Sequence, residues 1–188
     1  MPGEDESWDL GTGAGFYVDA TTAAWRGHYR MDSYVTRELH GLITTALPGD
    51  AARVGLFGHS MGGHGALVLA LRNPGQYRSV SAFAPIAAPS QCPWGKKAFG
   101  AYLGDNPDDW AAYDASRLMA GLRQPFPGGI LVDQGTADQF LAEQLYPEVF
   151  EAACAAAGQP LTLRRQDSYD HGYYLSLIHI SEPTRPRL

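Results

Sequence analysis

The chain has 188 residues, 45% hydrophobic and 18% charged, enough for one domain with a sizeable core and too apolar for a disordered segment. Fourteen Lys and Arg against twenty Asp and Glu give a net charge of −6. No basic stripe alternates with aromatics, so nucleic acid and an anionic membrane surface are excluded as main partners.

Along the chain, residues 1–30 are rich in Gly, Asp and aromatics without periodicity, and read as a long structured loop. Val35, Leu39, Leu42, Ile43 and Ala46 recur at helical spacing, with Asp32 or Ser33 as cap and Pro48-Gly49 as the stop. "RVGLFG" (53–58) predicts a strand buried on both faces. Residues 61–72 turn helical and end before Asn73-Pro74. "SVSAFAP" (79–85), "GGILVDQG" (128–135) and "LTLRRQD" (161–167) predict three more strands. A helix over about 142–156 falls between the last two, closed by Gly158 and Pro160. Residues 85–127 read as an excursion over the sheet, with a short helix after Asp114. Strands alternating with helices imply an α/β fold with a mostly parallel sheet and helices on both faces.

Gly58-His59-Ser60-Met61-Gly62 fits G-x-S-x-G between a strand and a helix, the context in which a serine is raised as a nucleophile. Gly58 and Gly62 are expected to let the tight turn close, and Gly63, Gly65 and Ala66 to let the helix lie close to the sheet. The backbone N–H of Met61, at the helix N-terminus, is a candidate oxyanion donor. Serine needs a base and the base an orienter, in the chain order Ser, acid, His. Asp138 and His171 each follow a predicted strand and meet that order. Asp133 sits inside an apolar strand and reads as a structural group. Asp170, adjacent to His171, would point away from it. His28, His40, His59 and His64 read as surface or packed residues, and His179 lies in an unusual tail.

Cys92 and Cys154 fit neither a disulfide framework nor a metal spacing and read as buried thiols. No run of about 18 apolar residues marks a membrane span. The opening "MPGEDESWDLG" lacks the charged-then-apolar order of a signal peptide, and the expected location is cytoplasmic.

The blocks "WDLGTGAGFYVDATTAAWRGHYRMDSYV", "GLFGHSMGGHGAL", "PWGKKAFGAYLG", "DQGTADQFL" and "YDHGYY" resemble the S-formylglutathione hydrolase family, the esterase D group of the α/β-hydrolase superfamily. The resemblance runs from Glu6 to Tyr174. It implies hydrolysis of S-formylglutathione to glutathione and formate, with Ser60 as nucleophile, Asp138 as acid, His171 as base and Met61 as one oxyanion amide. It implies no metal or cofactor, and a homodimer. Trp94, Lys96, Lys97 and Trp25, with Tyr29, are candidates for binding the two carboxylates and the body of glutathione. Beside the family, the chain reads as an incomplete α/β-hydrolase domain over 1–174, lacking the first strands, the second oxyanion loop and the last helix. Residues 175–188, with "SEPTRPRL" at the end, read as a non-native tail. A general carboxylesterase acting on small acyl esters, and a catalytically silent fragment of the same fold, are the alternative readings.

Overall fold

A computed structural model of the chain describes residues 6–179. Residues 6–30 form an irregular segment pinned by an isolated bridge between Asp19 and Arg30. A helical stretch, α1, follows in three parts: Met31–Ser33, a π-helical turn at Tyr34–Leu39, and His40–Ala46. Asp32 lies inside this helix rather than capping it; its buried carboxylate accepts from Arg72 Nε at 3.0 Å.

Four strands, β1 (Gly55–His59), β2 (Ser79–Phe83), β3 (Ile130–Gly135) and β4 (Leu161–Gln166), form a parallel sheet in the order β1-β2-β3-β4. Helix α2 (Met61–Arg72) crosses from β1 to β2. Helices α3 (Pro93–Leu103), α4 (Pro107–Trp110) and α5 (Ala115–Ala120) fill the excursion before β3, and α6 (Pro147–Ala157) leads to β4. Helix α5 packs against both α2 and α6, the arrangement that right-handed crossovers between steadily advancing strands favour. Leu67, Val68 and Leu69 of α2 are essentially inaccessible, each stabilising the fold by about 1.5–3 kcal/mol.

Two elements depart from the sequence expectation. Strand β1 is not buried on both faces: among the described residues it pairs only with β2, and Phe57 is 62% exposed. The helix expected over 142–156 is broken in two, a π-helical turn at Leu141–Leu145 and then α6. Proline disfavours helical backbone in the residue before it, and Tyr146, which precedes Pro147, turns left-handed at φ 49. Pro147 then starts a new helix, where its missing N–H costs nothing.

A short helix α7 (Tyr174–His179) packs near β3. Leu175 is fully buried and Ser176 contacts His59, so this first part of the segment read as a tail is packed onto the domain. Residues 180–188 lie outside the described residues. Cys92 and Cys154 are free and buried. Among the described residues no helix is long and apolar enough to cross a membrane.

Candidate active site

Strand β1 ends at His59 and the chain reverses into α2 through Ser60, which holds φ 56 and ψ −119. Such backbone is strained for a residue with a Cβ, at about 1–3 kcal/mol. Three backbone bonds hold it: Ser60 N–H donates to Phe83 at 2.8 Å, while its carbonyl accepts from His64 at 3.0 Å and Ile86 at 3.3 Å. A Cβ on Gly58 would lie 2.1 Å from the Gly62 carbonyl oxygen, so the turn closes only over glycine. Gly62 does not carry the same constraint, since a Cβ there would meet only the Tyr17 hydroxyl at 3.6 Å. Gly65 makes room for the Tyr17 ring rather than for the sheet.

The other two groups arrive from the carboxyl ends of β3 and β4. The Thr136 and Ala137 amides donate to the Gln166 and Tyr169 carbonyls at 3.0 Å each, binding the two loops together. Gly135 permits this, because a Cβ there would sit 2.2 Å from the Tyr169 carbonyl oxygen. His171 Nδ1 lies 2.6 Å from Asp138 Oδ2, and His171 Nε2 lies 2.9 Å from Ser60 Oγ. A carboxylate only accepts, so Nδ1 carries the hydrogen and Nε2 offers its lone pair to the serine hydroxyl. Asp138 is buried, which pushes its carboxyl upward, but the bonds from His171 and the Phe140 amide outweigh this and hold it below the usual carboxylate range. Gln134 Nε2 donates to the same carboxylate at 3.2 Å.

The rival acids are occupied elsewhere. Asp133 is fully buried and accepts from Arg164 at 2.7 Å and from Gln166 at 3.0 Å. Asp170 caps the Gly172 amide at 2.8 Å. His64 is fully buried, its Nε2–H donating to the Phe16 carbonyl at 2.9 Å. Burial pushes its pKa down to about 4. In the unfolded chain a histidine protonates near 6.5, so acid favours unfolding through this group between pH 6.5 and about 4. Stability is therefore expected to fall by up to about 3 kcal/mol as the pH drops across that window. Denaturant titrations at several pH values check this, and His64→Gln should lack that part of the slope.

Ser60 and His171 open into a cavity of about 480 Å³. Trp8, Trp94, Ile86, Phe140 and Leu145 give it apolar walls, and Asp9, Lys97 and Gln144 its polar edge. Trp94 is fixed by its indole N–H, which donates to the Asp9 carbonyl at 2.7 Å, and by edge contact with Phe16. Lys97 is at the cavity but is paired with Asp9 at 2.7 Å. Lys96, one residue earlier and so turned about 100° around the helix, is exposed and not part of the lining. Trp25 is a correction: it packs edge-on to Tyr29 and Tyr102, 8% exposed, and does not reach the cavity. Tyr29 belongs to the same buried cluster. Sequence reasoning passed over Phe140, whose ring stands 4.9 Å from that of His171, and Trp8. Phe140, two residues past Asp138, carried a usable signal; Trp8, in an aperiodic loop, did not. Among the described residues no cluster of His, Cys, Asp or Glu is arranged to hold a metal.

A parallel sheet presenting a strained serine, a histidine and a buried aspartate at the strand ends defines an α/β-hydrolase fold. The sequence profile of the "Putative esterase" family matches residues 1–182, and the chain belongs to that family. It is 54% identical over 186 residues to S-formylglutathione hydrolase of Rattus norvegicus, covering 98% of this chain and 66% of the rat protein. It is 53% identical over 170 residues to S-formylglutathione hydrolase of Paracoccus denitrificans (strain Pd 1222), covering 90% of this chain and 60% of that one. The solved S-formylglutathione hydrolase from Agrobacterium tumefaciens superposes with a TM-score of 0.90 at 47% identity, over 94% of this chain and 63% of that chain. The chain thus spans less than two thirds of the length of these relatives.

Proposed function

We propose that this chain carries the nucleophile, base and acid of a serine hydrolase that cleaves S-formylglutathione to glutathione and formate. The observation that carries the reading is the continuous chain of hydrogen bonds from Ser60 Oγ through His171 to Asp138, with Ser60 and His171 lining an apolar-walled cavity. Ser60 Oγ attacks the thioester carbonyl while His171 Nε2 takes its proton. The oxyanion collects at the Met61 amide, whose first-turn N–H has no acceptor within the helix. As the C–S bond breaks, the proton on His171 passes to the departing sulfur and a formyl-serine remains. Water, deprotonated by the same nitrogen, then releases formate and restores the serine. Throughout, Asp138 stays ionised and stabilises the transient imidazolium. No step requires a metal or cofactor.

The cavity suits this substrate class. Its apolar walls match a small acyl group and the S–CH2 side of the thioester. The glutathione carboxylates would reach Lys97 at the edge only by competing with Asp9. Identity above 50% to curated proteins named for this substrate supports the choice over a general carboxylesterase.

The expected preference is measurable. Hydrolysis of S-formylglutathione should exceed that of p-nitrophenyl acetate in kcat/KM by at least about tenfold, which corresponds to about 1.4 kcal/mol of differential transition-state binding. Equal or reversed preference would favour a general esterase.

A further inference from the structure

The residue before the nucleophile has no part in the reaction as described, yet it touches the base. His59 Nε2 lies 3.0 Å from the backbone carbonyl oxygen of His171, and the two imidazole rings stand 4.8 Å apart at 62°. We propose that His59 is a positioning residue: it ties the loop bearing His171 to the strand that bears Ser60, and so sets the distance between base and nucleophile. The inference rests on the triad reading above.

A carbonyl oxygen only accepts, so His59 Nε2 carries the hydrogen and donates it. Nδ1 is then an acceptor, 2.8 Å from the Ser176 hydroxyl, and the neutral ring uses both nitrogens. Burial, and the charge His171 takes up beside it, push the His59 pKa below the ordinary value and keep this form. The other bonds to the His171 loop described above, from Thr136, Ala137 and Asp138, come from the β3 side. His59 supplies the tie from β1, where its backbone is held in register with Phe83. It also forms one wall of a slot around the His171 ring, with Phe140 on another side at 4.9 Å and 78°. Reacting groups misplaced by about 1 Å can lose about a hundredfold in rate, so a strut next to the nucleophile has a catalytic consequence.

The test is the second-order rate at which a fluorophosphonate labels Ser60, a readout independent of which acyl substrate is correct. Wild type, His59→Phe, His59→Gln and His171→Ala are compared, each with a thermal melt. Phenylalanine keeps an aromatic ring against His171 but cannot donate; glutamine can donate to the carbonyl. The expected result is labelling about 10- to 100-fold slower in a His59→Phe sample that still melts cooperatively, with His59→Gln restored to near the wild-type rate. Wild-type labelling in His59→Phe, or labelling in His59→Gln as slow as in folded His59→Phe, overturns the proposal. If His59→Phe does not fold, the glutamine variant decides alone: a near-wild-type rate supports the donated bond and a slow one refutes it. Failure of wild type to label, or rapid labelling of His171→Ala, overturns the triad reading itself and this inference with it.

Discussion

Ser60→Ala should lose about six orders of magnitude in turnover, the scale seen when the nucleophile of such a triad is removed. The loss follows from geometry. His171 Nε2 has Ser60 Oγ at 2.9 Å, and alanine leaves the base facing an empty position. Stability should barely change, because alanine inherits the same φ of 56 and the same backbone bonds to Phe83, His64 and Ile86. Only one side-chain hydrogen bond is lost, worth about 1 kcal/mol. Steady-state hydrolysis beside a thermal melt checks both halves, and a rate near wild type in a folded sample would remove Ser60 from its role.

Asp138→Asn should cost about 10⁴ in kcat with little change in KM. The carboxylate, 6% exposed, accepts the Nδ1–H of His171 at 2.6 Å and so leaves Nε2 free to take the serine proton. An asparagine amide can turn its NH₂ toward Nδ1, which moves the hydrogen to Nε2 and blocks proton transfer. Because its carboxyl sits below the usual range, Asp138 stays ionised through neutral and mildly acidic pH and need not itself titrate during the cycle. The comparison with the other two aspartates makes the prediction specific. Asp133→Asn breaks the ion pair with Arg164 and should lower stability more than kcat, while Asp170→Asn keeps an oxygen that can accept from the Gly172 amide and should change neither much. Steady-state kinetics on the three variants separates these outcomes, and a larger kcat loss at Asp133 or Asp170 would reassign the acid.

The parts of this molecule that local rules govern were legible in the sequence. Short apolar runs bounded by turn residues located all four strands, and periodicity located α2 to the residue. Ser60, Asp138 and His171 could be selected because each follows a strand, and parallel strand ends converge on one edge. Asp133 read as structural from its place inside an apolar run, where only a paired carboxylate is tolerated, and Arg164 supplies the pair. What escaped was set by tertiary context. The apolar run of β1 predicts burial on both faces, and the exposure of Phe57 departs from it, because a local run does not record which elements cover each face of the sheet. Trp25 has the amphipathic character of a pocket wall, but Tyr29 and Tyr102 had already enclosed it. The contact of His59 with the carbonyl of His171 spans 112 residues, a separation over which no local pattern carries information.

The central claim, that these residues form a working nucleophile, is tested most directly by treating the folded chain with a fluorophosphonate and locating the adduct by mass spectrometry. A single adduct on Ser60, absent from Ser60→Ala and strongly slowed in His171→Ala, is the predicted result. A folded sample that takes no label, or takes it on another residue, would contradict the account.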